Sequence, residues 1–285
     1  MSMKSILVPY DFSEEANYAF ELAQEIATKA ACNLKLIHIL EIPTSQNFNT
    51  MGEVTMGENF MDKVYMVDLT NKRKEQFKKL EQEHAGKPYQ FSTNLTFGNP
   101  YAGIAGEIAE VKADLVIMGS KGSSGLEELL IGSNTEKVVR HSNCPVITVK
   151  GKVSADDIKR IVFASDFSDN SKKVIKKLKY LQELLGAQIR LVKINTPNSF
   201  EKTIVSMNNI NEFIKENKLE NAEIDIFNGD SEEEGINEFA DFVNADMIAM
   251  ATHGRTGFLH LLGGSIAEDV VNSSKKPVWT MKFKK

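Results

Sequence analysis

Hydrophobic positions along the chain fall into short apolar runs separated by longer stretches with helical spacing. The first run, Ser5 to Pro9, is typical of a strand buried on both faces of a parallel sheet. Ser13 is a candidate N-cap, and apolar residues recur from Ala16 to Ala27 at the spacing of one helix face. This stretch therefore predicts a strand, a turn and a helix.

The same alternation continues to about residue 150 and predicts further strands and helices. These are a strand Leu34 to Leu40, an irregular segment Glu41 to Asn59, an amphipathic helix to about His84, a strand Tyr89 to Phe97, a helix ending near Lys112, a strand Asp114 to Met118, a helix from Ser133 to about His141, and a strand Pro145 to Val149. Alternating strands and helices with short links predict right-handed crossovers and a doubly wound, Rossmann-like parallel sheet.

The pattern then repeats. Residues Ile161–Ser168 match Ile6–Ser13 at an offset of 155, whereas Ala245–Met250 match Ala113–Met118 at an offset of 132. Because the second offset is smaller, the second copy is shorter between these points, mostly within the region that matches Glu41 to Phe97.

The first copy's additional segment contains four methionines, and two readings stay open for it. It is either a mobile lid or partner surface, or an ordinary surface loop. The methionines are Met51, Met56, Met61 and Met66.

Length agrees with two domains, since 285 residues are about twice the ~150 of a typical domain. We expect a first domain over 1–150, a linker over 151–157 and a second domain over 158–285. The short linker predicts that the two domains pack as a pseudo-two-fold pair within one chain, with a homodimer of chains as a further assembly.

Composition narrows the class of partner. A net charge of −5 and a pI near 5.7 argue against a nucleic-acid partner, so basic stretches such as 72–74 are expected to be solvated faces. No apolar run approaches ~18 residues, which predicts a soluble protein without a membrane segment. Two cysteines, Cys32 and Cys144, favour reduced thiols and a cytoplasmic location.

The most distinctive stretch follows the run Val116–Met118 and contains Gly119, Gly122 and Gly132. Glycine tolerates positive φ and has no Cβ, so such a loop exposes backbone N–H groups to an anion. Ser133 opens the next helix, whose N-terminus favours phosphate. These residues predict a nucleotide phosphate site; the alternative is that the glycines only turn the chain.

Other phosphate and metal motifs are missing from the sequence. There is no Walker lysine motif, no G-x-G-x-x-G after the first strand and no G-x-S-x-G elbow. The five histidines show no metal-ligand spacing, and His253 and His260 are read as polar loop residues.

Taken together, the motifs resemble those of tandem universal stress proteins along essentially the whole chain. The spacing from Gly119 to Ser133 matches the pattern G-x2-G-x9-G-[ST] of the nucleotide-binding branch of that family, Asp11 matches its strand-1 aspartate, and Cys144–Val146 matches its closing strand. The resemblance implies an α/β fold that binds ATP, or ADP or AMP, with Mg²⁺ on the phosphates.

The resemblance also implies the residues of the site. The aspartate would hold the adenosine, the end of the second strand would meet the adenine, and the glycine loop would hold the phosphates. The implied residues are Pro9, Tyr10, Asp11, Ile39, Met118, Gly119, Lys121, Gly122, Gly132, Ser133 and Asn134. From its position alone, Asp11 could instead be a helix-capping carboxylate.

The second copy keeps the spacing but replaces the first glycine with Ala251, where a Cβ crowds the phosphates or opposes a positive φ unless the position is ordinary strand. Arg255 could offset this with its charge. We expect this copy to bind nucleotide more weakly or not at all. The matching residues are Asp166, Ala251, Gly254, Arg255, Gly264 and Ser265.

The resulting prediction is a cytoplasmic, ATP-binding stress-response protein that acts as a sensor or regulator. A slow ATP hydrolase is one alternative, but Asp11 and Lys121 are nearly all that the sequence offers for phosphoryl transfer, so no catalytic residue is assigned. A nucleotide-free scaffold is the other alternative.

Overall fold

The structure is a computed structural model that describes residues 2–41, 46–48, 54–56, 60–120, 131–169, 171–252 and 266–282. Two halves with matching element order follow one another along the chain. The first half contains, in order, β1 (Ser5–Pro9), α1 (Glu14–Ala30), β2 (Asn33–Leu40), β3 (Gln46–Phe48), β4 (Val54–Met56), α2 (Phe60–Glu83), β5 (Gln90–Phe97), α3 (Pro100–Glu110), β6 (Leu115–Gly119), α4 (Ser133–His141) and β7 (Val146–Val149). The second contains β8 (Arg160–Ala164), α5 (Ser171–Leu185), β9 (Gln188–Asn195), α6 (Thr203–Asn217), β10 (Ala222–Asn228), α7 (Glu232–Phe242), β11 (Met247–Thr252), α8 (Ile266–Ser273) and β12 (Val278–Lys282).

Ten of these strands form one continuous sheet in the order β10-β9-β8-β11-β12-β7-β6-β1-β2-β5. Neighbouring strands within each half are parallel, as in β1 with β2 and β8 with β9. The halves meet where β12 pairs with β7 in antiparallel orientation. The order in the second half therefore mirrors that in the first, and the predicted pair of doubly wound parallel halves is confirmed. The sequence did not predict that the sheets of the two halves join edge to edge through β7 and β12.

Alternating side chains of the strands pack on opposite faces of the sheet, as β-strand geometry requires. On one face, a single hydrophobic cluster runs through both halves and includes Ile6, Val8 and the buried Trp279 of β12. On the other face, each half has its own cluster. Leu7 belongs to the cluster under α3 and α4, and Val270 to the cluster under α7 and α8. Helices cover both faces of each half.

The length difference between the halves lies between the second and third strands of each half. In the first half, the chain runs from Leu40 at the end of β2 to Gln90 at the start of β5; in the second, it runs only from Asn195 to Ala222. A longer α2 and a longer connection before it account for most of the difference. The shorter middle that the repeat predicts for the second copy is therefore confirmed.

The expectation of an irregular segment over 41–59 is wrong in part. β3 and β4 form a separate two-stranded antiparallel sheet in which Phe48 pairs with Val54. Strands of three residues are too short to show an alternating pattern, so the sequence carries no clear signal for them. Met51 lies outside the described residues, and the two readings of this segment stay open.

No helix in the part of the chain that the structure describes is long and apolar enough to cross a membrane.

Candidate nucleotide site

The turn after β1 is organised by Asp11. Its Oδ1 accepts a hydrogen bond from the backbone N–H of Ser13 at 3.0 Å, and the Ser13 hydroxyl oxygen accepts one from the N–H of Ala16 at 3.2 Å. Ser13 is thus the N-cap of α1, as predicted, whereas Asp11 closes the turn one step before the helix. The hydrogen bond of Asp11 closes the turn, so it is not the helix cap that the alternative interpretation assigned to this residue.

Phe12, inside this turn, has a φ of +67°, which is rare for a bulky side chain. Its ring contacts several neighbours: the ring centroids of Tyr10 and His38 lie at 4.8 and 5.1 Å, and the Arg73 guanidinium lies 4.0 Å from the Phe12 ring centroid. Phe167 has a φ of +57° at the matching place in the second half. Both halves therefore hold a strained turn by packing the aromatic ring.

Tyr10 and Pro9 position this turn against β2. Tyr10 is buried, its backbone N–H donates to the carbonyl of Ile37 at 2.8 Å, and its hydroxyl donates to the side chain of Asn17. Pro9 pairs with Ile37 in the parallel register of β1 and β2. Burial is the main cause that raises the pKa of the Tyr10 hydroxyl.

His38 and Arg73 are near the turn but were not predicted as part of it. His38 Nδ1 donates to the carbonyl of Tyr10 at 2.7 Å, and burial, the largest cause, lowers the pKa of the His38 ring. Arg73, expected on a solvated face, is half-buried, while Lys72 and Lys74 are exposed as expected. Arg73 lies one helical turn before the buried Phe77, and this spacing was the signal that it faces inward.

Gly119 ends β6 next to the start of α1. A Cβ on Gly119 would lie 2.8 Å from Cβ of Glu15 and 3.0 Å from its backbone carbonyl carbon. Gly119 is absent from the glycines with positive φ, so close packing explains its identity and a special φ does not. Met118, directly before it, is buried.

The two ends of the glycine loop are held together. The N–H of Gly132 donates to the carbonyl of Ser120 at 2.8 Å, and the Thr135 hydroxyl donates to the carbonyl of Gly119 at 3.0 Å. Ser120 is itself fixed to β7, because its N–H donates to the carbonyl of Val149 at 2.9 Å. Lys121 and Gly122, between these ends, lie outside the described residues.

Gly132 is the N-cap of α4 and has ordinary extended angles, φ −62° and ψ 140°, with no side-chain hydrogen bond to the helix. Gly132 therefore does not use the positive φ that glycine tolerates. A glycine cap supplies no side-chain acceptor for the first-turn amides, which include those of Ser133 and Asn134. Ser133 is exposed and Asn134 half-buried. Such a helix start favours an anion through its amides and its dipole.

The predicted residues within the described part meet at one edge of the sheet. β1 lies between β2 and β6, so the Asp11 turn, Ile39 near the end of β2, and Gly119 at the end of β6 are neighbours. Ile39 packs against the cluster that contains Met118. This is the carboxyl edge, where ligands of open α/β sheets bind.

The matching turn in the second half has a different set of hydrogen bonds to its aspartate. Oδ1 of Asp166, which is exposed, accepts from the N–H of Ser168 at 3.1 Å and also from the hydroxyl of Ser171 at 3.0 Å. Ser171 matches Ala16, which has no hydroxyl to donate. The second aspartate is therefore held by a side chain that the first half lacks.

Ala251 lies within β11 and pairs with Met281, so this position is ordinary strand and its Cβ opposes no positive φ. Helix α5 begins at Ser171, slightly later than the position that matches Glu14 at the start of α1. The contact that excludes a Cβ at Gly119 is one with Glu15 in the first turn of α1. The remaining predicted residues of this half, Gly254, Arg255, Gly264 and Ser265, lie outside the described residues, as do His253 and His260.

Two cavities among the described residues lie away from this edge. The larger, about 360 Å³, is a groove between α3 and α4 lined by Tyr101, Ile108 and His141, among others. A small one lies near Asp114 and Trp279, where the halves meet. Neither is lined by Asp11 or Gly119.

Within the same described ranges, no group of three or more His, Cys, Asp or Glu side chains is arranged to hold a metal ion. Both cysteines are buried and unbridged. Burial raises the pKa of the Cys32 thiol to about 11 and also raises that of Cys144.

Comparison with known proteins identifies the class. The model of the universal stress protein family matches residues 3–150 and again 157–282. The chain therefore belongs to the universal stress protein family and contains two such domains in tandem.

Individual relatives agree with this assignment. A universal stress protein of Methanocaldococcus jannaschii is 34% identical over 160 residues, which cover 53% of this chain and 97% of that protein. A putative universal stress protein of Staphylococcus saprophyticus is 30% identical over 170 residues, or 59% of this chain and 95% of that protein. The crystal structure of a universal stress protein from Archaeoglobus fulgidus superposes with a TM-score of 0.76 at 19% identity, over 99% of this chain and 97% of that one, and so supports the fold alone.

Proposed function

We propose that this protein binds an adenine nucleotide, ATP in the first instance, at the carboxyl edge of its first half, and acts as a stress-response sensor or regulator. The observation that carries the proposal is the closed base of the glycine loop: the N–H of Gly132 donates to the carbonyl of Ser120 at 2.8 Å, and Gly132 caps α4 without a side-chain acceptor. The first-turn amides of α4 directly follow this hydrogen bond, and backbone amides at a helix N-terminus suit phosphate oxygens.

The Asp11 turn supplies the second element of the proposed site. Its carboxylate is half-buried at the end of β1, next to the strand that ends in Gly119. A carboxylate in this place suits the hydroxyl groups of a ribose, as in other doubly wound sheets. Ile39, on the neighbouring strand, would offer its backbone to the base. Mg²⁺ would arrive with the phosphates.

The second half supports this proposal less well. Oδ1 of Asp166 already accepts the Ser171 hydroxyl as well as the Ser168 N–H, so less of this carboxylate is left to accept hydrogen bonds from a ribose. We therefore propose that the first half holds the principal site. Cytoplasmic location and pairing of two chains stay predictions from the sequence; within one chain, β7 and β12 already cover each other's edges.

The test is to denature the purified protein, identify any nucleotide released, and compare the thermal midpoint of the apo protein with and without ATP. Because a ligand that binds only the native state stabilises it, ATP at 100 times Kd should add about 2.7 kcal/mol of stability. Equal midpoints at saturating ATP, with no nucleotide released, would favour a nucleotide-free scaffold instead.

A further inference from the structure

The closing end of the glycine loop is attached to the other half of the molecule. The backbone N–H of Ile131, directly before Gly132, donates to Oδ1 of Asn272 at 2.9 Å across 141 positions of sequence. The Ile131 side chain also packs against the hydrophobic cluster under α7 and α8. Ile131, at the end of the first half's glycine loop, therefore makes both a polar and an apolar contact with the second half.

Helix α8, which contains Asn272, is joined to the first half by an ion pair and by a hydrogen bond. Arg140 of α4 donates through Nε to Oε1 of Glu268 at 2.8 Å and through Nη2 to its other oxygen, and Glu268 is 3% exposed. The Lys150 ammonium donates to the backbone carbonyl of Asn272. These bonds join α8 to the helix that begins at the loop and to the end of β7.

The arrangement is not symmetric between the halves. At the offset that relates β6 to β11, the position that matches Asn272 in the first half is Arg140. A guanidinium has no acceptor atom, so Arg140 cannot offer the second half's loop the bond that Asn272 gives to the first. The pseudo-two-fold relation is thus broken at the residue that touches the loop.

We propose that Asn272 of the second half is a positioning residue for the phosphate site of the first half. By fixing the N–H of Ile131, it sets where Gly132 and the first amides of α4 point, and the second half thereby adjusts the affinity of the first for nucleotide phosphates. The inference rests on the proposed function. Linkage requires the reverse effect as well: bound nucleotide strengthens the contact between the halves.

The test compares ATP with adenosine, which lacks phosphates, on the full chain. In Asn272→Ala the affinity for ATP should fall about fivefold, the equivalent of one ordinary hydrogen bond, while the affinity for adenosine is unchanged. Asn237→Ala is the matched control, because Asn237 donates to Ser273 of α8 at 3.0 Å and makes no hydrogen bond to the described residues of the loop. It should leave both affinities as they are.

A second measurement follows the contact without nucleotide. Hydrogen exchange of the Ile131 amide should be slow in the wild type, fast in Asn272→Ala, and slow again in Asn272→Asp, which keeps the acceptor oxygen. Should the alanine variant not fold, Asn272→Gln displaces the same oxygen by one methylene and takes its place.

The outcomes separate the two proposals. If the wild type binds neither ligand, the proposed function fails and the positioning role fails with it. If the wild type binds ATP and Asn272→Ala binds it equally well, the positioning role alone is overturned. An equal loss of ATP and adenosine affinity would also overturn it, because that pattern indicates a general structural effect.

Discussion

The Asp11 turn and the Asp166 turn occupy the same place in two halves with the same strand order, yet their surroundings differ. Both hold a phenylalanine at positive φ, and both close with a hydrogen bond from a serine N–H to the aspartate. In the second half, a serine hydroxyl also donates to the carboxylate. The turn is therefore a requirement of the fold, and the set of groups that hold the carboxylate is what varies.

The ends of β6 and β11 also occupy matching places in the two halves and have different surroundings. Gly119 lies so close to Glu15 that a Cβ has no room, whereas Ala251 carries one in ordinary strand conformation. Close packing of α1 onto the strand end brings the Asp11 turn and the glycine loop together in the first half. We infer that the halves share a scaffold but differ in how tightly it closes around the proposed ligand.

The largest expected effect comes from removing the aspartates one at a time. Asp11→Ala should lower ATP affinity by about tenfold to a hundredfold, because a hydrogen bond to a charged group contributes about 1.5–3 kcal/mol. Asp166→Ala should leave it nearly unchanged. Isothermal titration of both variants checks this. Equal losses in the two variants would remove the distinction between the halves.

The second effect concerns the two strand ends. Gly119→Ala should lower the free energy of unfolding by about 1–3 kcal/mol, since the added methyl overlaps the first turn of α1. The reverse change, Ala251→Gly, should cost only about 0.5–1 kcal/mol through chain entropy. Urea unfolding of both variants measures the difference. A harmless Gly119→Ala would show that close packing does not select this glycine.

A third prediction concerns a place where the halves agree. Asn99 caps α3 by accepting from Ala102 N–H at 3.0 Å, and Ser231, at the matching position, caps α7 by accepting from Glu234 N–H at 3.2 Å. Replacing either with alanine should cost about 1 kcal/mol of stability. Replacement with glycine, as the control, should cost only a few tenths of that amount. Clearly unequal costs would contradict the equivalence of these two positions.

The smallest expected effect depends on pH and involves a single proton on His38. Asp11, Arg73 and Tyr10 surround the ring, and burial lowers its pKa below the ordinary 6.5. The ring is neutral in both states above pH 6.5; below it, the unfolded chain takes up the proton first, so stability falls as the pH drops toward the folded pKa.

This loss should be confined to the first half, because the second half has Lys193, and no histidine, at the matching position. Hydrogen exchange of β1 and β2 between about pH 7 and pH 5 checks it, with β8 and β9 as the internal control. His38→Gln should remove the pH dependence. Equal acid sensitivity of the two halves would contradict this reading.

Much of the fold followed from the sequence because apolar runs, helical stripes and the internal repeat are local patterns. Ser13 as a cap and the shorter middle of the second half were read in this way, and both are confirmed. No such local pattern predicted the pairing of β7 with β12 or the small sheet of β3 and β4. Edge pairing depends on which surfaces meet in three dimensions, and very short strands show no periodicity.

The sequence predicted where the candidate site residues lie in the fold, but not the contacts that hold them there. Motif spacing placed Asp11 and Gly119 at one edge, and of the two glycine properties that the sequence suggested, positive φ and the missing Cβ, only the missing Cβ applies to Gly119. Arg73 and Asn272 were missed because both reach the region from elements distant in sequence. The sequence shows that Arg73 shares a helix face with Phe77, but it does not show which distant residues that face contacts.

Whether the first half, and not the second, binds the nucleotide is tested most directly by calorimetric titration of the nucleotide-free protein with ATP. Asp11→Ala and Asp166→Ala are titrated alongside the wild type. We expect one principal site per chain, weakened about tenfold to a hundredfold in Asp11→Ala and unchanged in Asp166→Ala. Two equal sites, or a principal site weakened only in Asp166→Ala, would contradict this assignment.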